Sequence, residues 1–230
     1  MEKQIGLLRT IPWFARLSES ELAVLASNVA MCEFGRGELI FSQDSDGSIL
    51  YIIVSGQVQI FRNGSNGQEF ALAVFYDGEF FGELALIDGL PRAASAKAMC
   101  DTKTLTLHRN NFLRTISTHP SVAAAILEVM ATRLRQSNTY AELRISASAT
   151  KRVRYHLVDL ATRKLAYRTV PSDEPVDLLL TQDDLASLSS TTRETVNRVL
   201  SSLRTQKLIQ IERGHILITN IAMLRSMSDL

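Results

Sequence analysis

The chain has 230 residues, 46% of them apolar, and 25 Lys/Arg against 24 Asp/Glu, for a formal charge of +1. That length suits one large domain or two small ones, and this balance excludes long disorder, which needs low hydrophobicity with high net charge. No apolar run approaches the roughly 18 residues of a membrane span, and Met1 to Gly6 lack an apolar signal core. Cys32 and Cys100 are the only cysteines, too few for a disulfide framework or a Cys-rich metal motif. A cytoplasmic protein is expected, with no membrane contact and no metal, and its two cysteines should be ordinary buried small hydrophobes.

Ser18, with Glu21 three residues later, fits a capping box and predicts a short helix over 18–28. Nine of the eleven glycines then lie between Gly35 and Gly89. Glycine serves tight turns and weakens helices, so residues 31–108 read as short strands. Ile49-Leu50-Tyr51-Ile52-Ile53-Val54 is a β-branched and aromatic run, and Gln57-Val58-Gln59-Ile60-Phe61 alternates polar and apolar. Asn63-Gly64 and Asn66-Gly67 are turn signals. The spacing predicts a sandwich or a barrel-like roll.

Pro120 follows His119 and stops one helix, because the residue before proline is pushed out of the α region. From Pro120 to about Ser146 there is no glycine and no further proline. Leu127, Met130, Leu134, Ser137 and Ala141 are spaced 3, 4, 3, 4. Two readings stay open: an amphipathic helix lying on its own domain, or the seam of a parallel dimer. Ser137 and Asn138 put polar groups at that seam, and polar groups there need partners. Ser146-Ala147-Ser148-Ala149 reads as a hinge.

Residues 147–230 hold 12 Lys/Arg against 9 Asp/Glu, a local excess of positive charge. Thr181 caps a predicted helix with acidic first-turn residues, Ser189-Ser190-Thr191 is a turn, and Thr192 caps a second helix. Val196, Val199, Leu200 and Leu203 share one face of it; Arg193, Glu194, Asn197 and Arg198 share the other. This is a helix-turn-helix layout whose second helix can enter a major groove. A solvated charged surface is the competing reading. Residues 208–218 predict a hairpin turning at Gly214, a wing whose tip could touch phosphate.

Three blocks resemble the CRP/FNR family of bacterial transcription regulators, over nearly the full length. Phe81-Gly82-Glu83-Leu84-Ala85-Leu86, followed by Pro91-Arg92-Ala93-Ala94-Ser95-Ala96, resembles the phosphate-binding cassette of cyclic-nucleotide-binding domains. Ser137 and Asn138 stand at the family's base-contacting positions on the long helix. Arg193-Glu194-Thr195-Val196-Asn197-Arg198 resembles its recognition helix. The resemblance implies an α+β fold. A jelly-roll-like cyclic-nucleotide-binding β-roll would span 1–118, a long dimerisation helix 119–146, and a winged helix-turn-helix DNA-binding domain 147–230. It also implies a cyclic-nucleotide-responsive, sequence-specific regulator that works as a homodimer on TGTGA-like palindromic half-sites. Cyclic AMP is the implied allosteric ligand and cyclic GMP a second nucleotide the pocket could hold. Double-stranded operator DNA and RNA polymerase are the other implied partners.

By the same resemblance, Glu83 accepts the ribose 2′-hydroxyl and Arg92 grips the phosphate bidentately. Gly82 and the backbone N–H groups of Leu84, Ala85 and Ala93 complete an anion cradle. Without the surrounding motif, Glu83 and Arg92 would read as a structural ion pair. Ala93 departs from the Ser or Thr of many bacterial cyclic-AMP receptors, but Pro-Arg-Ala-Ala resembles cassettes of the cyclic-AMP-dependent kinase regulatory subunit, which use a backbone N–H there. The DNA-facing set is Thr181, Thr192, Arg193, Glu194, Asn197 and Arg198, with Arg213 and His215 on the wing. An enzyme acting on cyclic nucleotides through Glu83 is not expected, since there is no Gly-x-Ser-x-Gly, P-loop or His-Glu-x-x-His. A ligand-independent regulator is disfavoured by the intact Glu83 and Arg92. An iron–sulfur sensor would need about four cysteines.

Overall fold

The computed structural model describes residues 2–9, 11, 14, 17–64, 69–166, 175–212 and 215–227. The chain divides into two compact units, Met1–Arg62 with Val74–Gln136, and Asn63–Ala73 with Ser137–Leu230.

In chain order the elements open with α1 (Glu2–Arg9) and α2 (Glu19–Ala26). Ser18 caps α2, and Glu21 bonds back to the Ser18 backbone, so the expected capping box is present. Strands β1 (Val29–Phe34), β2 (Leu39–Phe41), β3 (Ile49–Ser55), β4 (Val58–Asn63), β5 (Glu69–Phe75) and β6 (Phe80–Phe81) follow. Then come α3 (Glu83–Asp88), β7 (Ser95–Ala98), β8 (Thr102–His108), α4 (Arg109–Thr118) and α5 (Pro120–Ser146). The strands form two four-stranded sheets, ordered β1-β8-β3-β6 and β2-β7-β4-β5, and their pairings are antiparallel. The turn signal at Asn66-Gly67 lies outside the described residues.

Period-two alternation sorts the side chains of the central strands. Leu50 and Ile52 of β3 and Leu105 and Leu107 of β8 face a core built with Leu8, Leu22, Leu25, Phe112, Val122 and Ile126 from the helices. Tyr51 on β3 and Thr104 and Thr106 on β8 have the opposite parity and are also buried. Both faces of β8 are therefore covered. Tyr51 stacks on Phe81, with ring centroids 5.1 Å apart, and Phe41 packs against both rings. Neither cysteine is in a disulfide, and both are only half-buried. This corrects the expectation of buried hydrophobes: Cys32 sits on β1, an edge strand paired on one side only, and Cys100 lies in the bend before β8.

The second unit contains α6 (Ala149–Ala166), β9 (Val176–Asp177), α7 (Gln182–Leu188), α8 (Arg193–Thr205), β10 (Ile209–Glu212), β11 (His215–Ile218) and α9 (Ile221–Ser226). Val153, Leu157, Leu185, Val196, Leu200, Leu203, Ile216 and Leu224 form its buried core. Strands β10 and β11 pair as the expected hairpin; its turn, Arg213-Gly214, lies outside the described residues. An unforeseen third strand, β9, pairs with β11. Among the described residues no helix is long and apolar enough to cross a membrane.

One buried polar cluster ties the end of α5 to α6. The Tyr140 hydroxyl donates to Asp159 Oδ2 at 2.7 Å, and the His156 ring lies 4.8 Å from the Tyr140 ring. Burial lowers the His156 pKa to about 4, and the positive charges of Arg144 and Arg152 push it the same way. In the unfolded chain the imidazole takes up a proton near its ordinary value of 6.5. The neutral ring therefore contributes its full stability above pH 6.5 and loses it as pH falls toward 4. Urea unfolding of the native chain should show an acid-side loss on the order of 3 kcal/mol from this group. In His156→Leu that component should be absent; equal acid-side losses in both proteins would contradict a buried neutral His156.

Candidate functional site

The first candidate site is built where β6 turns into α3. Gly82 sits between them with φ +83°, the left-handed region that favours glycine. A Cβ at Gly82 would come within 2.6 Å of Arg92 Nη1 and 3.2 Å of the Ile49 carbonyl oxygen. Glycine is therefore required twice, by backbone angle and by space. Gly89 ends α3, also left-handed, and the chain returns through Pro91 to Arg92.

Arg92 is only 4% exposed. Its Nη1 donates to the Gly82 carbonyl and its Nη2 to the Ile49 carbonyl, both at 2.7 Å. Its guanidinium carbon lies 4.1 Å from the centre of the Phe41 ring. Among the described residues Arg92 Nε has no hydrogen-bond acceptor. Burial lowers the pKa of this guanidinium, and Tyr51 and Glu83 oppose the shift. A cation held by neutral carbonyls and an aromatic face is a site that an anion would stabilise.

Glu83 is buried and opens α3. Its carboxylate is met by Arg133 of α5, with Nη1 donating to Glu83 Oε1 at 3.0 Å. Arg133 Nη2 donates to the Phe80 carbonyl, and the guanidinium lies over the rings of Phe75 and Phe80. Arg133 thus grips the chain on both sides of Gly82. Sequence reasoning missed it, although a signal existed: Arg133 lies four residues before Ser137, so the two share a helix face.

Of the expected cassette residues, the structure gathers Gly82, Glu83, Ala85 and Arg92. Ala85 is buried beneath Gly47, whose added Cβ would meet both Ala85 and Arg92. Leu84 and Ala93 are exposed. Ser137 and Asn138 are exposed on α5, within the second unit.

The second candidate site is the helix pair α7–α8. Thr181 accepts from the Asp184 N–H, and Asp184 bonds back to the Thr181 N–H. Thr192 accepts from the Thr195 N–H and caps α8. These are the expected caps. Val196, Val199, Leu200 and Leu203 are buried, and Arg193, Glu194, Asn197 and Arg198 are all exposed. Arg193 lies 3.2 Å from Asp183 in an exposed ion pair, weak enough to yield to a DNA contact. His215 is half-buried and faces Asp177 on β9 at 3.5 Å, drawn toward the neighbouring strand. Arg213 lies outside the described residues. Among the described residues no group of three or more His, Cys, Asp or Glu could hold a metal ion.

Residues 31–119 match the cyclic nucleotide-binding domain family, and residues 151–227 match the Crp-like helix-turn-helix domain family. The cyclic AMP receptor protein of Thermus thermophilus is 33% identical over 217 residues, 94% of this chain and 96% of that protein. The chain belongs to the CRP/FNR family of regulators. A CRP-like cAMP-activated global transcriptional regulator of Mycobacterium tuberculosis is 30% identical, covering 90% of this chain and 92% of that protein. FixK2 from Bradyrhizobium japonicum shares the fold, with a TM-score of 0.75 at 23% identity, over 86% of this chain and 96% of that one. As a CRP/FNR member this chain is a cyclic-nucleotide-binding transcription regulator that binds DNA, and it is not an enzyme.

The exposed face of α8 offers Arg193, Glu194, Asn197 and Arg198 to a DNA partner. Arg198→Ala should weaken operator binding by about 1–3 kcal/mol and relax preference at one G·C pair. Competition binding against a panel of single-base operator variants checks this; uniform weakening across the panel would make Arg198 a phosphate contact.

Proposed function

We propose that this regulator is switched by cyclic AMP and acts in the cytoplasm as a homodimer on TGTGA-like palindromic half-sites. In this reading residues 1–118 hold the ligand, 119–146 form the dimer helix and 147–230 bind operator DNA, with RNA polymerase as a further partner. The observation that carries it is the buried Arg92 guanidinium, held among the described residues by neutral carbonyl oxygens and the rings of Phe41 and Tyr51, beside the buried carboxylate of Glu83. That donor set fits a cyclic nucleotide: Arg92 would hold the single negative phosphate and Glu83 the ribose hydroxyl, with Gly82 and the N–H groups of Leu84, Ala85 and Ala93 around the anion. When bound, the nucleotide supplies an anion and a purine, and no bond is made or broken. The names of the Thermus and Mycobacterium relatives support cyclic AMP.

The dimer is supported by α5. Leu127 and Leu134, seven residues apart on one face, are 65% and 63% exposed. An apolar stripe at heptad spacing is what a second copy would bury. Arg133 gives the ligand a lever, because the carboxylate that meets the ribose is also the one that α5 holds. Thr181, Thr192, Arg193, Glu194, Asn197 and Arg198 form the DNA-facing set, with the wing residues Arg213 and His215 beside them.

Two outcomes are expected. Calorimetric titration of Glu83→Ala and Arg92→Ala with cyclic AMP should show affinity lower by about 2–3 kcal/mol each, roughly 30- to 150-fold in Kd. Affinity near that of the native chain in both would place the ligand elsewhere. Ser137 and Asn138 can each donate or accept, so both purines can be met at the dimer seam, and cyclic GMP should bind with little or no switching. A ligand shifts an equilibrium only by its differential affinity for the two states. Operator affinity at saturation with each nucleotide, repeated in Ser137→Ala and Asn138→Ala, tests this: equal activation by cyclic GMP, or unaltered activation in both variants, contradicts it.

A further inference from the structure

Helix α6 begins two residues after α5 ends, so Ala147 and Ser148 alone connect them. Arg152, in the first turn of α6, reaches out of the helix with its whole fork. Nη1 donates to the Ala147 carbonyl at 2.8 Å, Nε to the Ser189 carbonyl at 2.8 Å and Nη2 to the Ser190 carbonyl at 2.9 Å. One rigid guanidinium therefore bonds the hinge and the helix-turn-helix turn at once, two segments about forty residues apart in sequence.

The turn needs that support. Ser190 holds φ +49°, a left-handed conformation that is strained for a residue other than glycine. Its N–H bonds the Ser187 carbonyl, and the Ser189 N–H bonds the Leu185 carbonyl, so the N–H groups serve α7 while Arg152 takes the carbonyls. The angle at which α8 leaves α7 is set by these residues.

We infer that Arg152 is a positioning residue for DNA recognition: it sets the turn that presents α8 and transmits hinge geometry to that turn. A lysine could not replace it, because one ammonium on a flexible stem cannot match three carbonyls with a planar fork. The transmission half of this inference rests on the cyclic-AMP reading above; the turn half does not.

The test compares Arg152→Lys and Arg152→Gln with the native chain, each with and without Ser190→Gly. Operator affinity should fall about tenfold in Arg152→Gln, the scale of lost charge-assisted bonds. Ser190→Gly should recover much of that loss, since glycine enters the left-handed region unaided, and by itself it should be neutral or stabilising. The factor by which cyclic AMP raises operator affinity should shrink by about threefold or more in Arg152→Lys, although its charge is kept. The salt dependence should stay unchanged in Arg152→Gln; a slope shallower by about one would make Arg152 a phosphate contact and overturn the inference. Native-like affinity and cyclic-AMP response in both variants, or a loss that Ser190→Gly leaves untouched, also overturns it. A native chain indifferent to cyclic AMP overturns the ligand reading, and the glycine rescue then decides the clamp alone. Should the substitutions block folding, hydrogen exchange on the native chain decides. The amides of Ala147, Ser189 and Ser190, each hydrogen-bonded, should change protection together when cyclic AMP is added, and independent changes contradict a shared clamp.

Discussion

A guanidinium buried to 4% exposure, with no carboxylate on its nitrogens among the described residues, is the constraint on which the β-sheet unit depends. Burying a cation costs several kcal/mol unless it is paired or well hydrogen-bonded. Arg92 meets part of that cost through the carbonyls of Gly82 and Ile49 and the face of Phe41. Every one of those partners demands something of the chain. The Gly82 carbonyl is available because glycine takes φ +83° there, and Gly47 leaves room for the side chain. Phe41 is held by Tyr51 and Phe81. Among the described residues none brings a negative charge onto the guanidinium itself, and in the function proposed above the nucleotide phosphate would do so.

The second buried charge, Glu83, is handled differently. Its partner is supplied by α5 through Arg133, whose other nitrogen holds the Phe80 carbonyl. A carboxylate and a guanidinium of this kind lose much if one partner is removed and gain little over an apolar pair if both are kept. Stability alone does not account for such a pair. In the function proposed above its value would be coupling, since a ligand that competed for Glu83 would act on the helix that carries Leu127 and Leu134. In the second unit arginine again does the joining: Arg152 binds carbonyls of the hinge and of the recognition turn. Both joints use the fork geometry that distinguishes arginine from lysine.

The elements were largely legible because each carried local physics. Ser18 with Glu21, Thr181 and Thr192 are caps whose hydrogen bonds form within three residues. The helix over 120–146 was bounded by the absence of glycine and by Pro120. The two faces of α8 followed from a period of 3.6. The cassette was read from a family resemblance, and the structure brings its Gly82, Glu83, Ala85 and Arg92 together around one tight turn at Gly82. Arg133 and the Arg152 clamp were not found. Each is a contact between residues about 37 to 50 positions apart, or depends on one, and no local pattern encodes which carbonyl a long side chain will reach. His215 shows the same limit. Its place on the wing strand was expected, while its partner Asp177, on the unforeseen strand β9, was not.

By itself, then, the sequence determined the capped helices, the strand-rich segment, the long helix and the helix-turn-helix layout, because caps, turn residues and periodicity are short-range properties, while the regulator class came from the resemblance of three motif blocks to a known family. Tertiary structure alone decided how the buried charges are met. Arg92 is held by carbonyls from two separate segments, Glu83 by a residue fifty positions away on α5. The physical reason is that a buried charge is satisfied by whatever chain packing brings within hydrogen-bond distance, and that choice is made only when the sheets and helices close.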